Sequence, residues 1–165
     1  MSTKRLTKLA LLATIALIIF TVENQIPVPV PIPGVKLGLA NVVTVYAAFT
    51  MLPGETVMIL LCRIILGSIF AGNMMAMLYS LCGGLLCIAV TLLLVKLLSL
   101  DQIWIVCVVG AVCHNIGQLL AAALVMKTAV VFAYLPYLLI SGVITGTFTG
   151  FAAQTATKHM EKINV

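Results

Sequence analysis

A few polar side chains stand inside otherwise apolar runs, and these are the residues whose types could do chemistry. Arg63 lies within MILLCRIILGS, and His114, Asn115 and Gln118 lie within CHNIGQ. His114 and Gln118 are four residues apart, so they share one face of a helix. A guanidinium, an imidazole and two amides are suited to binding an anionic or strongly polar ligand. They make these four residues the first substrate-binding candidates.

The segments that carry these residues are apolar enough to lie in a membrane. The chain has 165 residues, of which 63% are hydrophobic and 8% charged, and its mean hydropathy is +1.27. A membrane-spanning helix needs about 20 mostly apolar residues. The sequence therefore predicts an all-α fold, a polytopic membrane bundle of six transmembrane helices that forms a single domain over residues 1–165. The six apolar blocks are approximately 6–23, 37–52, 55–71, 74–98, 102–126 and 129–155.

The polar residues are predicted to lie at similar depths. Arg63 comes about eight residues into the third block, or ~12 Å from its start. His114, counted from Asp101, reaches a comparable depth, so neighbouring third and fifth helices would place both residues in one polar layer. Asn41 lies nearer the outside and is a further binding candidate. Polar groups at such depths are expensive and often functional, but Arg63 could instead snorkel to helix-end carbonyls, and the amides could bond between helices.

The acidic residues leave Arg63 without an obvious partner. Glu55 and Asp101 mark helix starts, Glu23 marks an external helix end, and Glu161 lies in the C-terminal tail. By this count Arg63 lacks an obvious internal counter-ion.

The basic residues predict the orientation, because cytoplasmic loops hold the excess of Lys and Arg. With six spans, one side has Lys36 and Lys127, whereas the other collects Lys4, Arg5, Lys8, Lys96, Lys158 and Lys162. We therefore expect a multi-pass protein of the bacterial cell membrane, in contact with lipid and with both termini cytoplasmic. The net charge of +5 is mostly topological and gives little support to nucleic-acid binding.

A proline-rich loop, residues 24–36, is predicted to lie outside the membrane between the first two helices. Its alternating prolines, among them Pro29, Pro31 and Pro33, fix the backbone and remove hydrogen-bond donors, which favours an extended segment. Gly34 permits a turn, and Lys36 begins the second helix as another candidate for binding an anion. The loop could be a lid over a cavity or a stiff spacer between two helices.

Small residues mark two faces for helix packing. Gly142, Gly146 and Gly150 recur every four residues, a pattern that lets another helix approach closely, within this chain or in a partner. Ala10 and Thr14 form a smaller version in the first helix.

The five cysteines all fall inside apolar segments, and none forms a CxxC pair. Dispersed buried thiols behave as small hydrophobic groups, so no metal and no cofactor is predicted. Because Cys62 and Cys113 directly precede Arg63 and His114, a metal or iron–sulfur site in the membrane is one alternative. The cysteines and His114 would also fit a membrane subunit of a quinone- or flavin-linked electron-transfer system.

Four segments in order, PIPGVKLGLAN, Arg63 followed by LGS, GAVCHNIGQ and YLPYLLISGVITG, resemble the Gx transporter family, also known as heptaprenyl diphosphate synthase component I. That family is similar in size and topology to the substrate-binding S components of energy-coupling-factor (ECF) transporters. The resemblance implies an outward-facing pocket capped by the first loop, and docking of the first helix on a transmembrane coupling subunit with cytoplasmic ATPases. The usual docking signature is two alanines four residues apart, whereas this chain has Ala10 and Thr14.

The synthase name can be tested against composition. Prenyl-chain elongation uses aspartate clusters that hold magnesium and diphosphate, whereas this chain has a single aspartate, Asp101. We therefore expect a protein that is not an enzyme. The favoured function is capture of a small vitamin-like or isoprenoid- or quinone-related molecule from outside. A non-catalytic membrane accessory of heptaprenyl diphosphate or quinone synthesis is the alternative.

Overall fold

The computed structural model describes residues 3–23, 25 and 38–163, and in this part of the chain all regular structure is helical. Two short 3₁₀-helices, Leu100–Gln102 and Val130–Tyr134, precede the fifth and sixth α-helices. The predicted all-α fold is therefore confirmed. The α-helices are α1 (Thr3–Glu23), α2 (Asn41–Thr50), α3 (Pro53–Ala71), α4 (Met74–Leu94), α5 (Ile103–Met126) and α6 (Leu135–Ile163).

Five of the six helices are long and apolar enough to cross a membrane, and α2 is the exception. The predicted block 37–52 does contain an apolar helix, but α2 has only 10 residues and rises about 15 Å, half of a hydrocarbon core of about 30 Å, so a sixth full span stays a prediction. The local cause lies at its two ends. Gly38 has a positive φ of 70°, and Leu52, before Pro53, is held in an extended conformation.

Helix α6 begins later than the predicted block and extends beyond its end. The chain first forms the 3₁₀-helix Val130–Tyr134, and α6 then starts at Leu135. Pro136 is the second residue of α6, where its missing N–H removes no intrahelical hydrogen bond.

Glycines set the distance between α5 and α6. A Cβ on Gly142, Gly146 or Gly150 would lie 2.7–3.3 Å from backbone atoms of Val112, Val108 and Trp104 respectively. Each step of four residues up α6 is matched by a step of four down α5, so the two helices are antiparallel. The glycine face of α6 thus packs within this chain.

Helix α4 packs against both α5 and α3 through a glycine pair. A Cβ on Gly83 would meet the backbone oxygen of His114 at 2.7 Å, and one on Gly84 would meet Cδ1 of Ile64 at 2.8 Å. Gly117 of α5 closes the same contact, because its Cβ would lie 2.8 Å from the Cα of Gly83. This close approach places the polar residues of α5 near the middle of α3.

Two ion pairs and one apolar cluster show which helix ends lie together. Arg5 pairs with Glu55 at 3.2 Å, so α1 and α3 start at the same end of the bundle. Lys158 pairs with Asp101, which brings the last turns of α6 to the start of α5. Phe49, at the end of α2, and Leu100, just before α5, pack on one apolar cluster. The end of α2, next to the start of α3, therefore lies near the start of α5.

Both ends of the described chain therefore lie at one end of the bundle, which we call the basic end. The opposite end carries Lys127, after the last residue of α5. The cationic side chains at the basic end are Lys4, Arg5, Lys8, Lys96, Lys158 and Lys162.

Candidate ligand-binding cavity

A polar cavity lies inside the bundle between its middle and the end opposite the basic end. Its volume is about 60 Å³, enough for a few water molecules or a small ligand. Typical pockets for drug-sized ligands are larger, roughly 300–1,000 Å³, so a ligand of that size would require side chains to move. The lining residues are Phe20, Glu23, Gly38, Asn41, Arg63, Ile64, Ser80, Ala111, His114, Asn115, Gln118, Thr145 and Thr149.

Arg63 is the buried cation of this cavity. It lies about 15 Å along α3 from Pro53, and its side chain is only 5% exposed. Its Nη1 donates a hydrogen bond to Oδ1 of Asn41 at 3.1 Å. Its Nε is buried and has no hydrogen-bond partner among the described residues. The guanidinium therefore keeps donor capacity inside the cavity.

The polar group of α5 reaches the same cavity, as the sequence suggests. His114, Asn115 and Gln118 all line it together with Arg63 and Asn41. His114 lies about 16 Å along α5 from Ile103, close to the depth of Arg63 in α3. The structure thus brings together five of the six predicted binding residues, and their contact with a ligand stays a prediction.

Asn115 has a structural bond as well as a place in the lining. Its Nδ2 donates a hydrogen bond to the backbone oxygen of Leu138 in α6 at 2.7 Å. Interhelical bonding of this kind is the alternative that the sequence left open for the amides.

Glu23 is a cavity residue that sequence reasoning missed. It is the last residue of α1, as predicted for an external helix end, but its side chain is only 4% exposed. Its carboxylate accepts a hydrogen bond from the backbone N–H of Gly38. Arg63 makes no ion pair within 4.0 Å among the described residues, but Glu23 lines the same cavity, which the depth count did not indicate.

A helix-depth count could not find this relationship. Glu23 lies at the end of α1, and Arg63 lies in the middle of α3, so their separation depends on how α1 and α2 pack. A usable signal was that Glu23 follows an apolar run with no second acid nearby, which is an unusual place for a charge.

Two threonines of the lining, Thr145 and Thr149, gave no signal in the sequence. Thr145 and Thr149 donate to the carbonyls of Ser141 and Thr145 in their own helix at 2.9 and 2.8 Å. Such back-bonding is common for threonine in any helix. Their position on the cavity follows only from the packing of α6 on α5.

Gly38, three residues before the start of α2, has a backbone conformation that favours glycine. Its φ is 70°, and a Cβ there would lie 3.2 Å from Nδ2 of Asn41. Its N–H bonds Glu23, and its carbonyl accepts from the N–H of Asn41 at 2.9 Å. Gly38 thereby links the carboxylate of Glu23 to the amide that holds Arg63.

The remaining predicted residues lie away from the cavity or outside the described part. Lys36 and the loop residues Pro29, Pro31, Pro33 and Gly34 lie outside the described residues, so the lid and the spacer stay untested. Ala10 and Thr14 are exposed on α1, and the predicted docking through them stays a prediction.

The cysteines carry free thiols at five separate positions. Among the residues that the structure describes, no group of three or more His, Cys, Asp or Glu side chains is arranged to hold a metal ion.

The fold and the cavity define a class: a polytopic helical membrane protein with a buried polar site that contains a cationic side chain. The family model for heptaprenyl diphosphate synthase component I matches residues 12–156. The chain belongs to that family, which confirms the resemblance seen in the sequence. Comparison with curated proteins and with solved structures found no match.

Proposed function

We propose that this protein is a substrate-capture subunit, which binds a small molecule with an anionic or strongly polar group in the cavity around Arg63. It has no catalytic activity of its own in this proposal. The single observation that carries it is the guanidinium of Arg63, which is buried in the cavity with its Nε unpartnered among the described residues.

A charge taken out of water is costly unless it is paired and hydrogen-bonded, and the bond to Asn41 satisfies only one of the five N–H donors of a guanidinium. An oxyanion would satisfy others and supply the opposite charge, because guanidinium geometry matches carboxylate and phosphate. His114, Asn115 and Gln118 surround the same space and would orient the rest of the ligand.

The proposed direction of capture follows from the two ends of the bundle. The basic end holds both termini of the described chain and six Lys and Arg side chains, which favours a cytoplasmic position. The cavity, with Glu23 and Gly38, would then be reached from outside the cell. This arrangement supports a subunit of the S-component type, which captures its ligand outside and depends on a coupling subunit with cytoplasmic ATPases for transport.

The ligand-capture step can be tested without knowing the ligand. Native mass spectrometry of the protein purified from its own host's membranes should show a species heavier by the mass of one small molecule. Extraction under denaturing conditions should release that molecule. A protein that carries only lipid in every preparation, and that no extracted host metabolite stabilises, would contradict the proposal.

The family name favours a second candidate, a non-catalytic membrane accessory of heptaprenyl diphosphate synthesis. In that case the anion at Arg63 would be a diphosphate, and the partner would be the catalytic synthase component. Farnesyl diphosphate and inorganic diphosphate are direct probes. Stabilisation by them, together with purification of the tagged protein in complex with a prenyl synthase, would favour the accessory. Purification with a transmembrane coupling protein and its ATPases would favour the transporter.

A further inference from the structure

The cavity contains two buried charges of opposite sign, and this pair limits what the ligand can be. Glu23, at the end of α1, is 4% exposed, and Arg63, in the middle of α3, is 5% exposed. Both side chains line the same space. The inference drawn from this pair rests on the proposed function, since it concerns the chemistry of the captured ligand.

The two charges do not neutralise each other by direct contact. Among the described residues, the ion pairs within 4.0 Å are Arg5 with Glu55 and Lys158 with Asp101. Arg63 instead donates to Asn41 at 3.1 Å, and Glu23 accepts from the N–H of Gly38. Each charge therefore has a hydrogen-bond partner of its own.

Each charge keeps unused hydrogen-bonding capacity. The Nε of Arg63 has no partner in the described part of the chain. A carboxylate offers about four lone-pair sites, of which the N–H of Gly38 occupies one. Among the described residues, the cavity thus offers donor capacity at Arg63 and acceptor capacity at Glu23.

We propose that the cavity binds a zwitterion, with a carboxylate or phosphate group on Arg63 and a protonated amine on Glu23. Such a ligand would satisfy both buried charges, whereas a simple anion would leave the carboxylate of Glu23 uncompensated. A diphosphate would place further negative charge beside that carboxylate, which is unfavourable. The volume of about 60 Å³ limits the spacer between the two groups to a few atoms.

The test compares matched probes on the protein reconstituted in lipid nanodiscs. The probes are 4-aminobutyrate and 5-aminopentanoate, each paired with butyrate or pentanoate, which lack only the amine. Binding is measured by calorimetry at millimolar concentration, with ligand-free melting temperature as the folding control. In the wild type, whichever of the two amino acids binds more tightly should bind about tenfold more tightly than its matched acid, as expected for one charge-assisted hydrogen bond.

The variants identify which residue reads the amine. In Glu23→Gln the amino acid and its matched acid should bind equally, and in Glu23→Asp a smaller preference should remain. If Glu23→Gln fails to fold, Glu23→Asp still tests whether the carboxylate binds the amine. Arg63→Met should bind neither probe.

Three results would overturn the inference. If wild-type protein binds both probes of each pair equally, anion capture stands but the zwitterion does not. If Glu23→Gln weakens both probes by the same factor, Glu23 acts only through its bond to Gly38. If none of the four probes binds the wild type, the zwitterion proposal fails, whereas a molecule retained in native mass spectrometry would keep the capture function.

Discussion

The side-chain amide of Asn115 donates a hydrogen bond through Nδ2 to the backbone oxygen of Leu138 at 2.7 Å. This bond joins the middle of α5 to the first turn of α6. The same nitrogen lies 3.0 Å from the place where a Cβ of Gly142 would be, so the amide fills the gap that the glycine leaves. Of the two amides in CHNIGQ, Asn115 therefore has a clear structural task.

Substitution of Asn115 should therefore lower stability, whereas substitution of Gln118 should weaken ligand binding. Asn115→Ala should lower the free energy of unfolding by about 0.6 kcal/mol and by no more than about 1.7 kcal/mol, the range for hydrogen bonds between membrane helices. Gln118→Met keeps the Cγ that packs at Gly83 but loses the amide, so it should weaken ligand binding without lowering the melting temperature. Melting and ligand affinity measured on both variants separate the roles. A Gln118→Met variant that melts lower and binds normally would reverse the assignment.

Replacing a glycine by alanine should lower stability on the packed face of α6 but not at an open position. Gly146→Ala would place a Cβ 2.7 Å from the Cα of Val108, so α5 and α6 must move apart. Overpacking of this kind costs about 1–3 kcal/mol. Gly54→Ala is the matched control, because its Cβ would meet nothing within 4 Å, and we expect it to be neutral or slightly stabilising. Equal melting temperatures for the two variants would show that α5 and α6 do not pack as described.

The bundle ends predict a labelling pattern. Ser99, before the 3₁₀-helix that leads into α5, lies at the basic end, and Ala129 lies after α5 at the opposite end; both are exposed. In a background without native thiols, Ala129→Cys should react with an impermeant maleimide added to intact cells. Ser99→Cys should react only after the membrane is opened. The reverse pattern would place the basic end outside and would move the cavity to the cytoplasmic side.

Much of the fold follows from composition and from a few residues that limit the helices. Long apolar runs predict five of the six helices, because hydrocarbon leaves the backbone few alternatives to an α-helix. The length of α2 was not predictable from hydropathy, since residues 37–52 are apolar throughout most of their length. The α-helix is limited by the backbone at Gly38 and by Pro53, and its position depends on packing against α1, α3 and α6.

The candidate site was predictable where polarity contrasts with its surroundings. Arg63 and the CHNIGQ segment stand out within apolar runs, and the structure brings them to one cavity. Glu23 was assigned to a helix end, because a linear count gives depth along one helix but not the distance between helices. The hydroxyls of Thr145 and Thr149 were missed for a different reason, since a threonine bonded to its own helix has no distinguishing pattern.

Capture of a ligand by Arg63 is the central claim, and one measurement tests it most directly. Native mass spectrometry of the wild type and of Arg63→Lys, Arg63→Met and Arg5→Gln, purified in parallel, would give the fraction of each protein that retains a small molecule. Arg5 is the control cation, because it pairs with Glu55 at the basic end and is half exposed.

Arg63→Met should retain none of the molecule. It should also melt lower than the wild type, because it leaves the buried carboxylate of Glu23 without the nearby positive charge, so folding is confirmed below the melting temperature of the variant. Arg63→Lys should retain part of it, since the charge persists without the planar fork. Arg5→Gln should retain as much as the wild type. Full retention by a folded Arg63→Met variant would contradict the account.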